Sequence, residues 1–205
     1  TDKAEEILTL TAHYDSVPEG PGAYDNMSGG AIIMELCRYF QVHRPRRTME
    51  FVWFGAEEKG LLGSQSYIKV HETELPAHCF NMNVDLAGQL VGGTVIGVTG
   101  DPSICSMIEY MAHETGIGMV TRNAIWGSDS NTFAWNGVPA MTLNRDGFGM
   151  HTRHDIVDYI SPWSLERSAR LLGHIAESLG NIPVIPFKRE IPETFMKELD
   201  RYFGR

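Results

Sequence analysis

Histidines and carboxylates recur in this chain directly after apolar stretches. His13-Tyr14-Asp15-Ser16 follows residues 7–12, and Glu57-Glu58 follows residues 49–54 through Gly55-Ala56. Asp85 follows residues 80–84, and His151-Thr152-Arg153-His154-Asp155 closes the loop after residues 138–143. Asp25 stands in a glycine-bounded loop ahead of Ser28. Each piece alone has a plain structural explanation. A histidine after a strand is more often hydrogen-bonded than a ligand, Glu57-Glu58 suits a helix start, Asp25-Asn26 suits a turn, and Asp85 suits a cap. Jointly, those explanations leave several acids crowded at one place, where uncompensated carboxylates repel one another.

Divalent cations remove that repulsion. Imidazole and carboxylate donors without thiolates point to zinc, with cobalt or manganese as substitutes. Two histidines, two terminal carboxylates and one bridging carboxylate can serve two ions about 3.5–4 Å apart and leave room for a shared water. Other chemistries fit worse. His71-Glu72 and His113-Glu114 lack the second histidine of an HExxH helix. The chain has no GxSxG elbow, no Walker loop and no strand-linked GxGxxG. Cys37 lies within an apolar helix face, which argues against a thiol nucleophile.

The elements that must position these residues alternate. Residues 7–12 alternate apolar side chains with Thr, as a strand does. Residues 28–44 place Ile32, Leu36 and Phe40 on one helical face, with Ser28 and two glycines suited to a tight entry. Residues 49–54 and 80–86 read as buried strands; 94–98, 119–125 and 138–143 read as further strands. Helices are expected over 62–70, 102–115, 128–135, 161–179 and 191–203, and the proline-bearing stretch 180–189 reads as a connection between packed helices. Alternating strands and helices predict an α/β fold, a three-layer sandwich with helices on both faces of a sheet. In such sheets ligands bind at the carboxyl ends of the strands, which is where the acids and histidines fall.

The 205 residues suit one domain. With 42% hydrophobic and 21% charged residues the composition is that of an ordered globular chain. A net charge of -9 argues against coating nucleic acid or an anionic membrane, and no apolar run reaches the roughly 18 residues that span a bilayer. Cys37, Cys79 and Cys105 are few, odd in number and far apart, so three buried free thiols are expected, which leans towards a reducing, cytoplasmic compartment. Thr1 opens the chain without an initiator Met, and the expectation is a catalytic domain over residues 1–205 cut from something longer. The oligomeric state is not readable.

The segments HYDS, GAYDNMSGGA, FGAEEKGLLGSQSY, NVDLAG and HTRHD, in this order, resemble the co-catalytic zinc aminopeptidases, a group that includes bacterial leucyl aminopeptidase and, more distantly, glutamate carboxypeptidase II and glutaminyl cyclase. The resemblance runs from His13 to about residue 160. It implies the zinc exopeptidase fold, with a mixed and mostly parallel sheet, here without its N-terminal part. It implies two zinc ions: His13 and Asp85 on one, Glu58 and His151 on the other, Asp25 bridging both. Glu57 would be the general base, Asp15 would hydrogen-bond His13 from behind, and Ser128-Asp129 would support the site. The implied reaction is removal of N-terminal residues from peptides by a metal-bridged hydroxide.

The chain departs from the family pattern at Tyr24, where many relatives carry a small or acidic residue, and at Arg153 and His154. Arg145 and Arg153 keep a carboxypeptidase-like reading open, because a terminal carboxylate needs a cation. Dipeptidase activity and one-zinc glutaminyl cyclase acyl transfer on the same scaffold also stay open. A binding module that has lost its ligands is disfavoured, since all five are present. Met27, Trp126, Trp135, Phe148 and Met150 are candidates for an apolar side-chain pocket.

Overall fold

The computed structural model describes residues 2–204. Six strands form one sheet: β1 (Lys3–His13), β2 (Arg47–Phe54), β3 (His78–Val84), β4 (Thr94–Thr99), β5 (Val120–Asn123) and β6 (Ala140–Arg145). Their order is β2-β1-β3-β6-β4-β5, with β4 antiparallel to β6 and every other pairing parallel. The sheet is thus mixed and mostly parallel, and β1, β2, β3 and β6 all end at the same rim.

Six helices cover it: α1 (Ser28–Val42), α2 (Leu62–Val70), α3 (Ser103–Thr115), α4 (Ser130–Trp135), α5 (Pro162–Asn181) and α6 (Glu193–Tyr202). The alternation within the strands separates two layers. Leu8, Leu10 and Ala12 of β1 and Phe80, Met82 and Val84 of β3 point to one face, where they join Ile32, Ile33, Leu36 and Phe40 of α1 and apolar side chains of α3 and α5 in the larger core. The smaller core, built on Phe54, Ile68, Phe133, Ala134 and Leu199, holds α2, α4 and α6 on the other face.

The intervening positions of β1 and β3 are polar yet buried: Thr9, Thr11, Asn81 and Asn83. Most of their polar atoms find partners, as buried polar groups do; Thr9 meets His78 Nδ1 at 2.7 Å, and Asn81 Oδ1 is left without one. Thr11 donates to Asn83 Oδ1 at 2.8 Å, Asn81 donates to Thr11 Oγ1 at 3.1 Å, and Asn83 donates to Ser128 Oγ at 2.8 Å. Thr11 is paired with Asn83 in register. Two residues further along each strand, the same face therefore presents His13 and Asp85 side by side.

Several boundaries differ from the sequence reading. The strand expected over 119–125 is only four residues long and sits at an exposed edge, where nothing extends its pairing. The helix expected from 128 begins at Ser130, because Ser128 and Asp129 are drawn into the turn that meets Asn83. Ser28 opens α1 without capping it, since its hydroxyl donates to the Tyr24 carbonyl and accepts from the Ala87 N–H. The three cysteines are free but half-buried rather than buried. The 182–189 connection is fastened by Arg189, which donates to the carbonyls of His78 and Leu75 at 2.8 Å each. Among the described residues, no helix is long and apolar enough to cross a membrane.

Arg47 ties β2 to the end of α5. Its side chain is fully buried, paired with Glu6 at 2.7 Å and donating from Nη1 to the carbonyls of Leu179 and Ile182 at 2.8 and 2.6 Å. Truncation strands these buried acceptors. Arg47→Ala is expected to lower unfolding stability by roughly 3 kcal/mol, read from urea denaturation; a loss below about 0.5 kcal/mol would reduce the cluster to a surface ion pair.

Candidate metal centre

The rim gathers five of the predicted donors, with Glu57, into one cluster. His13 ends β1 almost fully buried. Its Nδ1 lies 3.2 Å from the Asp15 carbonyl oxygen and 3.5 Å from the Asp15 carboxylate. Its Nε2 lies 3.2 Å from Asp25 Oδ1, 3.3 Å from Asp85 Oδ1 and 4.0 Å from Glu57 Oε2. Both ring nitrogens thus face acceptors only. Across the cluster, His151 Nε2 lies 3.0 Å from Asp25 Oδ2 and 3.0 Å from Glu58 Oε2. Two groups of three potential ligands result, His13–Glu57–Asp85 and Asp25–Glu58–His151. Asp25 reaches both imidazoles, one with each carboxylate oxygen.

Local structure explains this convergence. Asp15 accepts hydrogen bonds from the backbone N–H groups of Glu57 and Glu58 at 3.1 and 3.3 Å, joining the β1 loop to the β2 loop. The Glu57-Glu58 turn lies between two left-handed residues, Ala56 (φ 58°) and Gly60 (φ 96°), and packs against α2. Gly63 makes that packing feasible: a Cβ there would stand 2.2 Å from the Gly55 carbonyl oxygen. Gly29 serves α1 in the same way, since a Cβ would stand 2.7 Å from the Val84 carbonyl oxygen just before Asp85. His151 is placed by a left-handed backbone, φ 59°.

The electrostatics are those of crowded acids. Burial lowers the basicity of His13, but hydrogen bonds to Asp25 and Asp85 outweigh it and push its pKa up to about 12. Burial, with the charge of Asp85 beside it, pushes Glu57 up to about 8. Burial and the Asp25 charge also raise Glu58, whose buried Oε1 has no hydrogen-bond partner. Asp129, fully buried behind the cluster, is pushed up to about 7 by burial, and neither of its oxygens completes a hydrogen bond. Buried acids short of donors, set around two imidazoles, are a donor set that a cation would satisfy. A groove of about 630 Å³ lies elsewhere, between α1 and α5, and none of the clustered donors lines it; the chemistry, not cavity size, locates the site.

The model of peptidase family M28 matches residues 1–176. The chain belongs to peptidase family M28. Aminopeptidase YwaD of Bacillus subtilis is 44% identical over 87 residues, which make up 42% of this chain and 19% of that one. Among solved structures, BSAP, a zinc aminopeptidase from Bacillus subtilis, superposes with a TM-score of 0.80 at 26% identity, covering 94% of this chain and 50% of that chain. A peptidase M28 precursor from Shewanella amazonensis gives a TM-score of 0.80 at 31% identity, covering 94% and 45%. The M28 chain described here therefore spans half or less of the length of these relatives.

Within the M28 framework, the remaining predicted residues fall in different places. Arg145 is committed to structure: it is buried and donates to the carbonyls of Gln89 and Leu90 and to Thr94 Oγ1. Arg153 is exposed and, among the described residues, donates to His154, which is itself outside the cluster. Tyr24 is buried and donates its hydroxyl to the Arg145 carbonyl, so it packs rather than lines the centre. Trp135 stacks on Phe203, Trp126 covers Gly97, and Phe148 meets Tyr159 edge-on; Met27 and Met150 are part-exposed.

Two positioning residues escape the sequence reading. Asp155 stands there only as part of HTRHD, yet its carboxylate accepts from the N–H groups of Tyr24 and Asp25 at 2.5 and 3.0 Å. Asn26 donates to the Val84 carbonyl at 2.8 Å and accepts from Gly29 and Leu86. The signal for Asn26 is its place between Asp25 and the Ser28-Gly29-Gly30 entry; for Asp155 no spacing rule offers one.

With a chelator present, the folded chain keeps protons on Glu57, Asp129 and His13 that the unfolded chain releases near its ordinary values of 4.5, 3.8 and 6.5. All three folded values are raised, so the associated stability is full at low pH and is lost as pH rises. The thermal midpoint of chelator-treated protein is expected to fall by roughly 5 °C or more between pH 5 and pH 8. A flat or rising midpoint in calorimetry would mean that the cluster ionises without strain.

Proposed function

We propose that residues 1–205 act as a single catalytic domain, a two-zinc aminopeptidase that removes N-terminal residues from peptides. The observation that carries this reading is Asp25, whose two carboxylate oxygens each meet a different imidazole, His13 at 3.2 Å and His151 at 3.0 Å. A carboxylate so shared suits the bridge between two cations. His13 and Asp85 would hold one ion, Glu58 and His151 the other, and Asp25 both. The nitrogen and oxygen donors, without thiolates, suit zinc, with cobalt or manganese able to replace it.

What the ions supply when bound is a water of lowered pKa and polarisation of the scissile carbonyl. The chain's own residues do the rest. Glu57 sits beside His13 without being needed as a ligand, part-buried in a setting that raises the affinity of its carboxylate for a proton. It accepts the proton of the attacking water and returns it to the leaving amine. Asp15 holds the base in place by accepting the Glu57 and Glu58 N–H groups, and it flanks His13 Nδ1, fixing the ring.

The polarity of the substrate follows from charge. Acids around the cluster suit a free peptide amine. A terminal carboxylate finds less support, because Arg145 is engaged by two carbonyls and the Thr94 hydroxyl, and Arg153 is exposed and turned to His154, which lies outside the cluster. One-zinc cyclase chemistry remains the second reading, and metal stoichiometry separates it from the first.

Glu57→Gln is expected to retain zinc and lose kcat by roughly 10²–10⁴-fold, measured by mass spectrometry of a peptide pool trimmed from its N-termini. Normal turnover would remove Glu57 from the mechanism. Asp25→Ala is expected to bind fewer than two zinc ions per chain by elemental analysis; two retained ions would exclude the bridge.

A further inference from the structure

Helix α6 lies beyond the residues that the family model matches, yet it reaches the turn that precedes α4. It is anchored on α4: Leu199 is fully buried, Phe203 stacks on Trp135 with ring centroids 4.3 Å apart and planes 13° apart, and Trp135 Nε1 donates to Asp200 at 2.9 Å. The approach to α4 is the Gly127-Ser128-Asp129 turn, tied to β3 through Ser128 and Asn83. Tyr202, on the last turn of α6, lays its hydroxyl over this turn. A Cβ built on Gly127 would stand 3.9 Å from that oxygen.

Two features separate Tyr202 from a packing residue. It is 47% exposed although its helix is firmly docked, so the ring borders open space. Among the described residues, its hydroxyl has no hydrogen-bond partner. Burial and the nearby charges of Glu57, Asp129 and Asp85 disfavour the phenolate, which leaves a neutral O–H donor at physiological pH. Glu57 leads those charges, and under the proposed function Glu57 delivers the proton to the leaving amine. Ser64 of α2, a few residues past the Glu57-Glu58 turn, lies 3.0 Å from Thr132 of α4, so the turn beneath Tyr202 belongs to the α2 side of the centre, and the peptide chain beyond the scissile bond would leave on that side.

We propose that Tyr202 is a substrate-contacting residue that donates a hydrogen bond to a backbone carbonyl of the peptide beyond the scissile bond. This rests on the aminopeptidase reading and adds a preference for peptides over simple amides. Leucyl-glycyl-glycine has such a carbonyl, and leucine 4-nitroanilide has none.

The test compares the zinc-loaded intact chain with Tyr202→Phe on both substrates. Phe keeps the ring and its packing, and an unchanged thermal midpoint confirms that the fold is intact. The expected result is a loss of roughly 5- to 10-fold in kcat/KM on the tripeptide, the scale of one hydrogen bond, with the nitroanilide changed less than about 2-fold. No loss on the tripeptide, or an equal loss on both substrates, would overturn the contact. If wild type cleaves neither substrate, the aminopeptidase reading fails, and calorimetric binding of the tripeptide decides Tyr202 separately: weaker binding by Tyr202→Phe supports the contact, and equal binding overturns it.

Discussion

The arrangement turns on the repulsion among Asp25, Glu57, Glu58 and Asp85, which the fold presses around two imidazoles. Charges of one sign at such spacing, partly shielded from water, are costly to assemble. Without a cation the cost appears as retained protons, with His13 held cationic and Glu57 held neutral well beyond their ordinary ranges. A folded chain tolerates this only if packing elsewhere fixes each carboxylate in place. Most of the local features at the rim can be read as devices for that purpose.

Those devices are largely backbone contacts. Asp15 is held by two N–H groups of the neighbouring loop, and Asp155 holds the N–H groups of Tyr24 and Asp25. Asn26 spans the loop, the start of α1 and the end of β3. Two glycines, Gly29 and Gly63, permit approaches that any side chain would obstruct. His13, Glu58 and Asp85 are thus positioned from the ends of β1, β2 and β3, whereas Asp25 is held in the turn before α1 and His151 in the loop after β6, where a left-handed backbone turns it inward. Rigid support of this kind suits a centre whose geometry must survive the exchange of substrate and product.

The two layers carry different duties. Large aliphatic side chains under α1, α3 and α5 supply most of the core. The opposite layer gives up apolar contact for a column of Thr and Asn that leads to His13 and Asp85. Because α4 and α6 pack over that column, the Ser128-Asp129 turn and Tyr202 are drawn to the same rim.

Strand-helix alternation and the identity of the clustered donors were legible in the residues alone. Apolar runs ending in His or acid are local patterns, and at the carboxyl ends of parallel strands a local pattern translates directly into a place on the rim. The family motifs were legible too, because their order survives without any knowledge of contacts. Other features emerge only when the layers dock. Arg145 read as a cation for a terminal carboxylate and Tyr24 as a departure beside the bridging acid, but burial commits both to backbone carbonyls. Cys37, Cys79 and Cys105 read as buried, but they lie at half-exposed margins. Asp155 and Asn26 hold the centre through hydrogen bonds to residues as many as 131 positions away, and Tyr202 reaches it from the far end of the chain. Such contacts depend on how layers pack and where the chain returns, which the spacing of residues along the sequence does not encode.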